Sequence, residues 1–346
     1  MFSTIKTLTE LFGPSGREEA VAAYLAERWA PWSEKLWITP VGNVMARIGG
    51  TGPALAITAH MDEICLFVTS ITSDGFARIT HGHRGGGSYH IRDGLGHEFD
   101  VLGADGQIVR AVLASRTGHL RFGHAEQTGA VDAQSVFLDF GLTSRQAVEE
   151  AGITVGSPAV WKAQTRRLGQ HVVGKAMDDR VGLAIMTRLG ETVKAEQLSC
   201  ELYLVATVME EMGVVGAASV CSELPRLDMA VALEIGVCGD IPTVKEEEAP
   251  VKLGQGPIIR SKDASAHYTH AMTQRLIQAA ERGGIAFQRS MAGGGTDGLE
   301  FLRAGVATAL MAPPTRYTHS PIEMVHPADV QACVELLRCL VCGDLS

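Results

Sequence analysis

An apolar, largely β-forming run, Leu202 to Met209, stops at two adjacent acids, Glu210 and Glu211, and then turns at Met212-Gly213. Four other segments repeat the arrangement, each bringing a potential metal ligand to the end or flank of a predicted element. Ala54 to Ala59 is strand-like and runs into His60-Met-Asp62-Glu63, while Met229 to Leu233 ends in Glu234 with Gly236 soon after. Val306 to Met311 breaks at Pro313-Pro314 and then delivers Arg316-Tyr-Thr-His319. Asp178-Asp179-Arg180 introduces a helix-like stretch, Val181 to Leu189. From Asp178 onward helical patterns alternate with apolar strands, the signature of an α/β layer fold with a mixed sheet and helices on both faces. In open sheets of this kind, sites form beyond the carboxyl ends of the strands. Five distant segments that place His, Asp and Glu there predict one shared site.

The segment from 67 to 166 breaks the rhythm. Short β-type runs, Phe67 to Ile71, Val109 to Leu113 and Val136 to Phe140, are separated by glycine-rich turns such as Gly82 to Ser88. This reads as a small β domain, 67–166, inserted into a larger α/β host formed by 1–66 and 167–346. A chain of 346 residues accommodates two domains on a prior of roughly 150 residues each. Residues 1 to 66 read as helix, strand, strand. Ser15-Gly-Arg-Glu18 has capping-box spacing, and Val21, Tyr24, Leu25 and Trp29 follow at helical intervals.

Charge and composition remove whole classes of function. A formal net charge of −9 without a basic stripe argues against nucleic acid as a partner, since phosphate neutralisation needs clustered Lys and Arg. No run approaches the ~20 apolar residues of a membrane span, and the first residues lack the pattern of a signal peptide. Seven scattered cysteines suit the reducing cytoplasm. The close pair Cys339-x-x-Cys342 has no second pair to complete a zinc site. Gly169 to Lys175 resembles a phosphate loop, but Ala176 stands where Ser or Thr must reach magnesium. The histidines at 81, 83, 90, 97, 119 and 124 are irregularly spaced and read as a solvated surface.

Each element of the predicted site also has an ordinary explanation. His60 and Asp62 fit a metal ligand oriented by a carboxylate, or a buried histidine bonded to its neighbour. Asp178-Asp179 fits a bridging carboxylate in a two-metal site, or acids in the first turn of a helix. Glu210-Glu211 could be a solvated turn, but two like charges side by side are costly without a cation or proton. Neighbouring residues project differently, so one can bind metal while the other faces water as a general base. With Glu234 and His319, the inventory of imidazole and carboxylate without thiolate suits Zn, Co or Mn in a catalytic site. Paired carboxylates also hydrolyse sugars, but that reading leaves both histidines without a role.

Thr58-Ala-His-Met-Asp-Glu63, Gly174-Lys-Ala-Met-Asp-Asp-Arg180, Glu210-Glu-Met-Gly-Val-Val-Gly-Ala217 and Pro314-Thr-Arg-Tyr-Thr-His-Ser-Pro321 together resemble the tetrahedral aminopeptidase family, which includes glutamyl and deblocking aminopeptidases. Leu11-Phe-Gly-Pro-Ser-Gly16 is similar to the family's opening as well, and the resemblance runs nearly end to end. It implies a binuclear metallopeptidase that removes N-terminal residues from peptide substrates, and the cysteine pattern above places it in the cytoplasm. His60, Asp178 and Glu234 would hold one divalent metal, and Asp178, Glu211 and His319 the other, with Asp178 bridging. Glu210 would be the general base acting on a metal-bridging water, and Asp62 would orient His60. The inserted β domain would help assemble a dodecamer. Two positions depart from the family: Glu234 where Asp is usual, and Cys65 where Gly is frequent. A binuclear deacylase of small N-acylated molecules and a non-catalytic homologue are the alternatives.

Overall fold

A computed structural model describes residues 1–80, 91–120, 133–224, 226–291 and 293–345. The chain divides into two compact units. The first comprises Met1–Asp62, Gln164–Thr318 and Ile322–Ser346, and the second Glu63–Ala163 with His319–Pro321.

The chain opens with two helices rather than the single helix expected, α1 (Phe2–Glu10) and α2 (Glu19–Trp29), followed by strands β1 (Lys35–Ile38), β2 (Val44–Gly49) and β3 (Ala54–His60). The second unit follows. Its strands β4 (Leu66–Ile71), β5 (Phe76–Ile79), β6 (Glu98–Leu102), β7 (Ile108–Ser115), β8 (Val136–Asp139) and β9 (Pro158–Trp161) close into a barrel in the order β4-β5-β8-β7-β6-β9. Short helices α3 (Ile91–Gly94) and α4 (Arg145–Glu150) punctuate it. Alternate residues such as Leu66 and Val68, Phe99 and Val101, and Ala111 and Leu113 fill its interior, as period-two strands around a small closed barrel require. The glycine-rich turn at 82–88 and His81, His83, His90 and His124 lie outside the described residues, whereas His97 and His119 are exposed.

The first unit continues with β10 (Arg166–Leu168), β11 (His171–Gly174), α5 (Met177–Thr192), β12 (Glu201–Thr207), α6 (Val215–Glu223), β13 (Met229–Leu233) and β14 (Gly236–Val237). It ends with β15 (Ile258–Lys262), α7 (His270–Arg282), β16 (Gln288–Met291), α8 (Gly298–Arg303), β17 (Ala307–Ala312), β18 (Pro314–Arg316), β19 (Glu323–Val325) and α9 (Pro327–Val341). Eight strands form a sheet in the order β1-β2-β12-β3-β13-β17-β15-β16, and five form a second, β10-β11-β19-β18-β14. In the larger sheet, β12, β13 and β17 run parallel with β3 at its centre, while β1 against β2, β2 against β12 and β15 against β17 are antiparallel. This is the mixed α/β sheet expected from the sequence.

Side-chain alternation shows why helices cover both faces. Val44, Ala46, Leu55, Ile57, Leu204 and Val231 share one core with Leu8, Leu25, Ile185, Leu276 and Leu336 from α1, α2, α5, α7 and α9. The intervening residues Met45, Ala56, Val205 and Ala230 pack on the opposite side against Val220 of α6 and Phe301 of α8. Central strands buried on both faces read as continuous apolar runs, and these runs were the sequence signal. Among the described residues no helix is long and apolar enough to cross a membrane, and all seven cysteines are free.

Candidate metal centre

Parallel pairing sets the site. His60 is the last residue of β3 and stands in register with Thr207, the last residue of β12. The chain leaving β12 therefore reaches Glu210 beside His60. β13 lies on the other side of β3 and ends one residue before Glu234, whose amide donates to Met311 O at 3.2 Å. Three ligand-type side chains thus emerge from adjacent carboxyl ends.

His60 Nε2 lies 3.1 Å from Asp178 Oδ1 and 3.8 Å from Glu234 Oε1. Its Nδ1 is 3.1 Å from the carbonyl of Asp62 and 3.3 Å from its carboxylate. Two sets of potential ligand atoms lie within 4.8 Å of one another: His60, Asp178 and Glu211, and His60, Glu210 and Glu234. Glu234 thus brings its carboxylate into the cluster despite the methylene that distinguishes it from aspartate. His319 belongs to neither set; it follows β18 with φ of 60° in a segment grouped with the barrel unit.

Asp62, fully buried, organises the far side of the cluster. Its carboxylate accepts the amides of Glu210 at 3.0 Å and Glu211 at 3.2 Å, and the hydroxyl of Ser15 at 2.5 Å. Burial alone would raise its pKa, but His60 and these donors hold it below the usual carboxylate range. The two adjacent acids are not a solvated turn, since Glu210 is buried and Glu211 half-buried. Nor are Asp178 and Asp179 interchangeable. Asp179 Oδ1 accepts Gly182 N at 3.2 Å in the manner of a helix cap, while Asp178 faces His60 and donates its amide to Glu323 at 3.0 Å.

The remaining titrations follow from acids crowded at low dielectric. Burial and the neighbouring Asp178 push Glu234 up to about 7, and burial and Glu234 raise Glu210 well above the usual range. Asp179 rises in the same way under burial, Glu234 and Asp178. Burial pulls His60 down, but the carboxylates of Asp178, Asp62 and Glu234 together hold it well above the usual imidazole range. A cation placed among these oxygens reverses that repulsion. One imidazole with several carboxylates and no thiolate is a borderline-to-hard donor set that fits Zn, Co or Mn.

Several supporting residues escaped sequence reasoning. Ser15 and Glu18 form no capping box: the Ser15 hydroxyl goes to Asp62, and Glu18 Oε1 accepts Gly16 N and Met209 N, both at 2.9 Å. The first turn of α2 has no side-chain cap. Burial and the Asp62 charge push Glu18 up to about 7. Met209 has φ of 52°, a left-handed conformation costing a non-glycine residue roughly 1–2 kcal/mol, and its bonded amide helps hold it. Thr296 and Asp297 are buried. Thr296 meets Tyr268, and Asp297 accepts the Thr207 hydroxyl at 2.5 Å. Arg260, also buried, donates to Ile235 O beside Glu234 at 3.2 Å.

Residues 42–336 match the M42 glutamyl aminopeptidase model. A lysyl aminopeptidase of Pyrococcus furiosus is 28% identical over 97% of this chain and 95% of its own. The aminopeptidase APDkam598 of Desulfurococcus kamchatkensis has a TM-score of 0.92 at 32% identity, covering 99% of this chain and 94% of that one. The TET1 peptidase of Pyrococcus horikoshii, which assembles into a tetrahedron or a large octahedral shell, has a TM-score of 0.87 at 27% identity, with 98% of each chain covered. The matched family model spans most of the sequence, so the chain belongs to the M42 glutamyl aminopeptidase family.

Proposed function

We propose that the cluster at the ends of β3, β12 and β13 is the reaction centre of a metal-dependent aminopeptidase that removes residues one at a time from peptide N-termini. The convergence of His60, Asp178, Glu210, Glu211 and Glu234 from four separate segments carries this reading. In it, His60, Asp178 and Glu234 would hold one divalent cation, and Asp178, Glu211 and His319 would hold a second, Asp178 serving both; His319 enters through the family motif alone. Cations bound there would lower the pKa of water and polarise the scissile carbonyl.

The protein's own groups supply orientation and proton transfer. Asp62 fixes the His60 ring through Nδ1, as second-layer carboxylates commonly do for ligating histidines. Glu210 takes the proton of the attacking water and returns it to the leaving amine, a role worth roughly 10² to 10⁴ in rate. The surrounding acids attract the free ammonium of a peptide N-terminus. The barrel unit is assigned to self-association, with a dodecamer as the assembly, and the free thiols suit a cytoplasmic location.

The test is a panel of aminoacyl chromogenic substrates alongside their N-acetylated counterparts. Cleavage confined to free amines is expected, and its pattern across the panel identifies the preferred residue. Turnover of acetylated substrates alone would replace this reading with a deacylase. The same preparation should sediment as a dodecamer, the assembly of the solved PhTET1-12s structure; a monomer would remove the assembly role from the barrel.

A further inference from the structure

The opening motif Leu11-Phe-Gly-Pro-Ser-Gly16, with Glu18 after it, takes no part in the chemistry described above. Its polar atoms nevertheless go to the segments that carry that chemistry. Gly13 O accepts Nη2 of Arg180 at 3.0 Å, and Nη1 of the same guanidinium donates to Leu8 O at 2.7 Å. Arg180 directly follows Asp178-Asp179. A Cβ on residue 13 would stand 2.6 Å from Arg180 Nη2 and 2.9 Å from Val21 Cγ2, so a side chain there would push the buried guanidinium from its place. Gly16, at φ of 82°, then turns the chain so that Glu18 comes under Met209.

Two residues whose spacing suits a helix cap are thus diverted to distant partners. Ser15 binds Asp62, 47 positions away, and Glu18 binds the amide of Met209, 191 positions away. The Met209 amide is held by Glu18, and the next two amides, Glu210 and Glu211, by Asp62. Three consecutive amides are therefore anchored by two buried carboxylates just where the chain leaves β12. The backbone from which the Glu210 side chain departs is therefore held at its own amide and at those on both sides.

We propose that Glu18 is a positioning residue for Glu210, acting through the Met209 amide, and that Ser15 assists by holding Asp62. This rests on Glu210 being the general base. A base displaced by about 1 Å can cost on the order of 10² in rate, so the expected loss lies in kcat rather than in metal or substrate binding.

The experiment measures kcat, KM, bound metal and melting temperature for E18A, E18Q and S15A, with E210Q as reference. In E18A, kcat should fall about 10- to 100-fold, with KM within about twofold and metal content unchanged. E18Q should recover most of the loss, because its amide oxygen can accept the same two amides. S15A should show a smaller loss of the same kind. A wild-type kcat in E18A overturns the proposal, as do equal losses in E18A and E18Q that follow metal loss or a lowered melting temperature. Should E18A not fold, S15A decides: a kcat-only loss supports the proposal and a wild-type kcat overturns it. If E210Q is inactive while the Glu18 variants match wild type, only this proposal fails. If E210Q retains turnover, the assignment of the base fails first and this proposal falls with it.

Discussion

Glu210→Gln should remove turnover while leaving the metals in place, with kcat falling by about 10² to 10⁴. Glutamine matches glutamate in size, and the main-chain bond from residue 210 to Asp62 is unaffected by the change. The substitution deletes the capacity to accept and return a proton and little else. Kinetics together with metal analysis of the dialysed protein check it. Full turnover in E210Q would move the base elsewhere, and loss of metal in parallel with activity would make Glu210 a ligand.

Asp178→Asn should have the opposite signature, losing metal and activity together. Asp178 Oδ1 lies 3.1 Å from His60 Nε2, and its side chain belongs to a set of mutually close ligand atoms with His60 and Glu211. An amide cannot offer two anionic oxygens to two cations. Disturbing outer partners of metal ligands typically costs 10- to 100-fold in affinity, and loss of a shared ligand should cost at least about that much. Calorimetric titration of the stripped variant with Zn or Co gives the number. Wild-type affinity for two metals in D178N would exclude it as the shared ligand.

The parts of this architecture that were legible in the sequence share a physical cause. Central strands covered on both faces must be apolar throughout, so β3, β12, β13 and β17 stood out as runs, and the acid or histidine closing the runs of β3, β12 and β13 marked the sheet edge, while β17 broke at Pro313-Pro314. His60, Glu210 and Glu234 were found in this way. Helix α1 was missed because its sequence, FSTIKTLTE, is rich in threonine, which favours helix weakly. Tertiary contacts hold it, including the bond between the Thr9 and Thr165 hydroxyls at 2.6 Å. Ser15 and Glu18 were misassigned because capping-box spacing is a local pattern, whereas their partners lie far along the chain. Asp178-Asp179 shows the same limit. Adjacent identical residues gave no means of telling the cap from the group facing His60; the backbone separates them, leaving helical geometry at both positions.

Specificity is read from the substrate panel, since on the proposed reading the cluster would contact an amine and a carbonyl that every peptide N-terminus presents. That the cluster is a metal-dependent reaction centre is tested by turnover of a free-amine substrate by metal-stripped wild-type protein as Zn, Co or Mn is returned, with bound metal counted at each step. No turnover is expected without metal, and activity should rise to a plateau as occupancy approaches two ions per chain. Undiminished turnover in protein free of bound metal would contradict it.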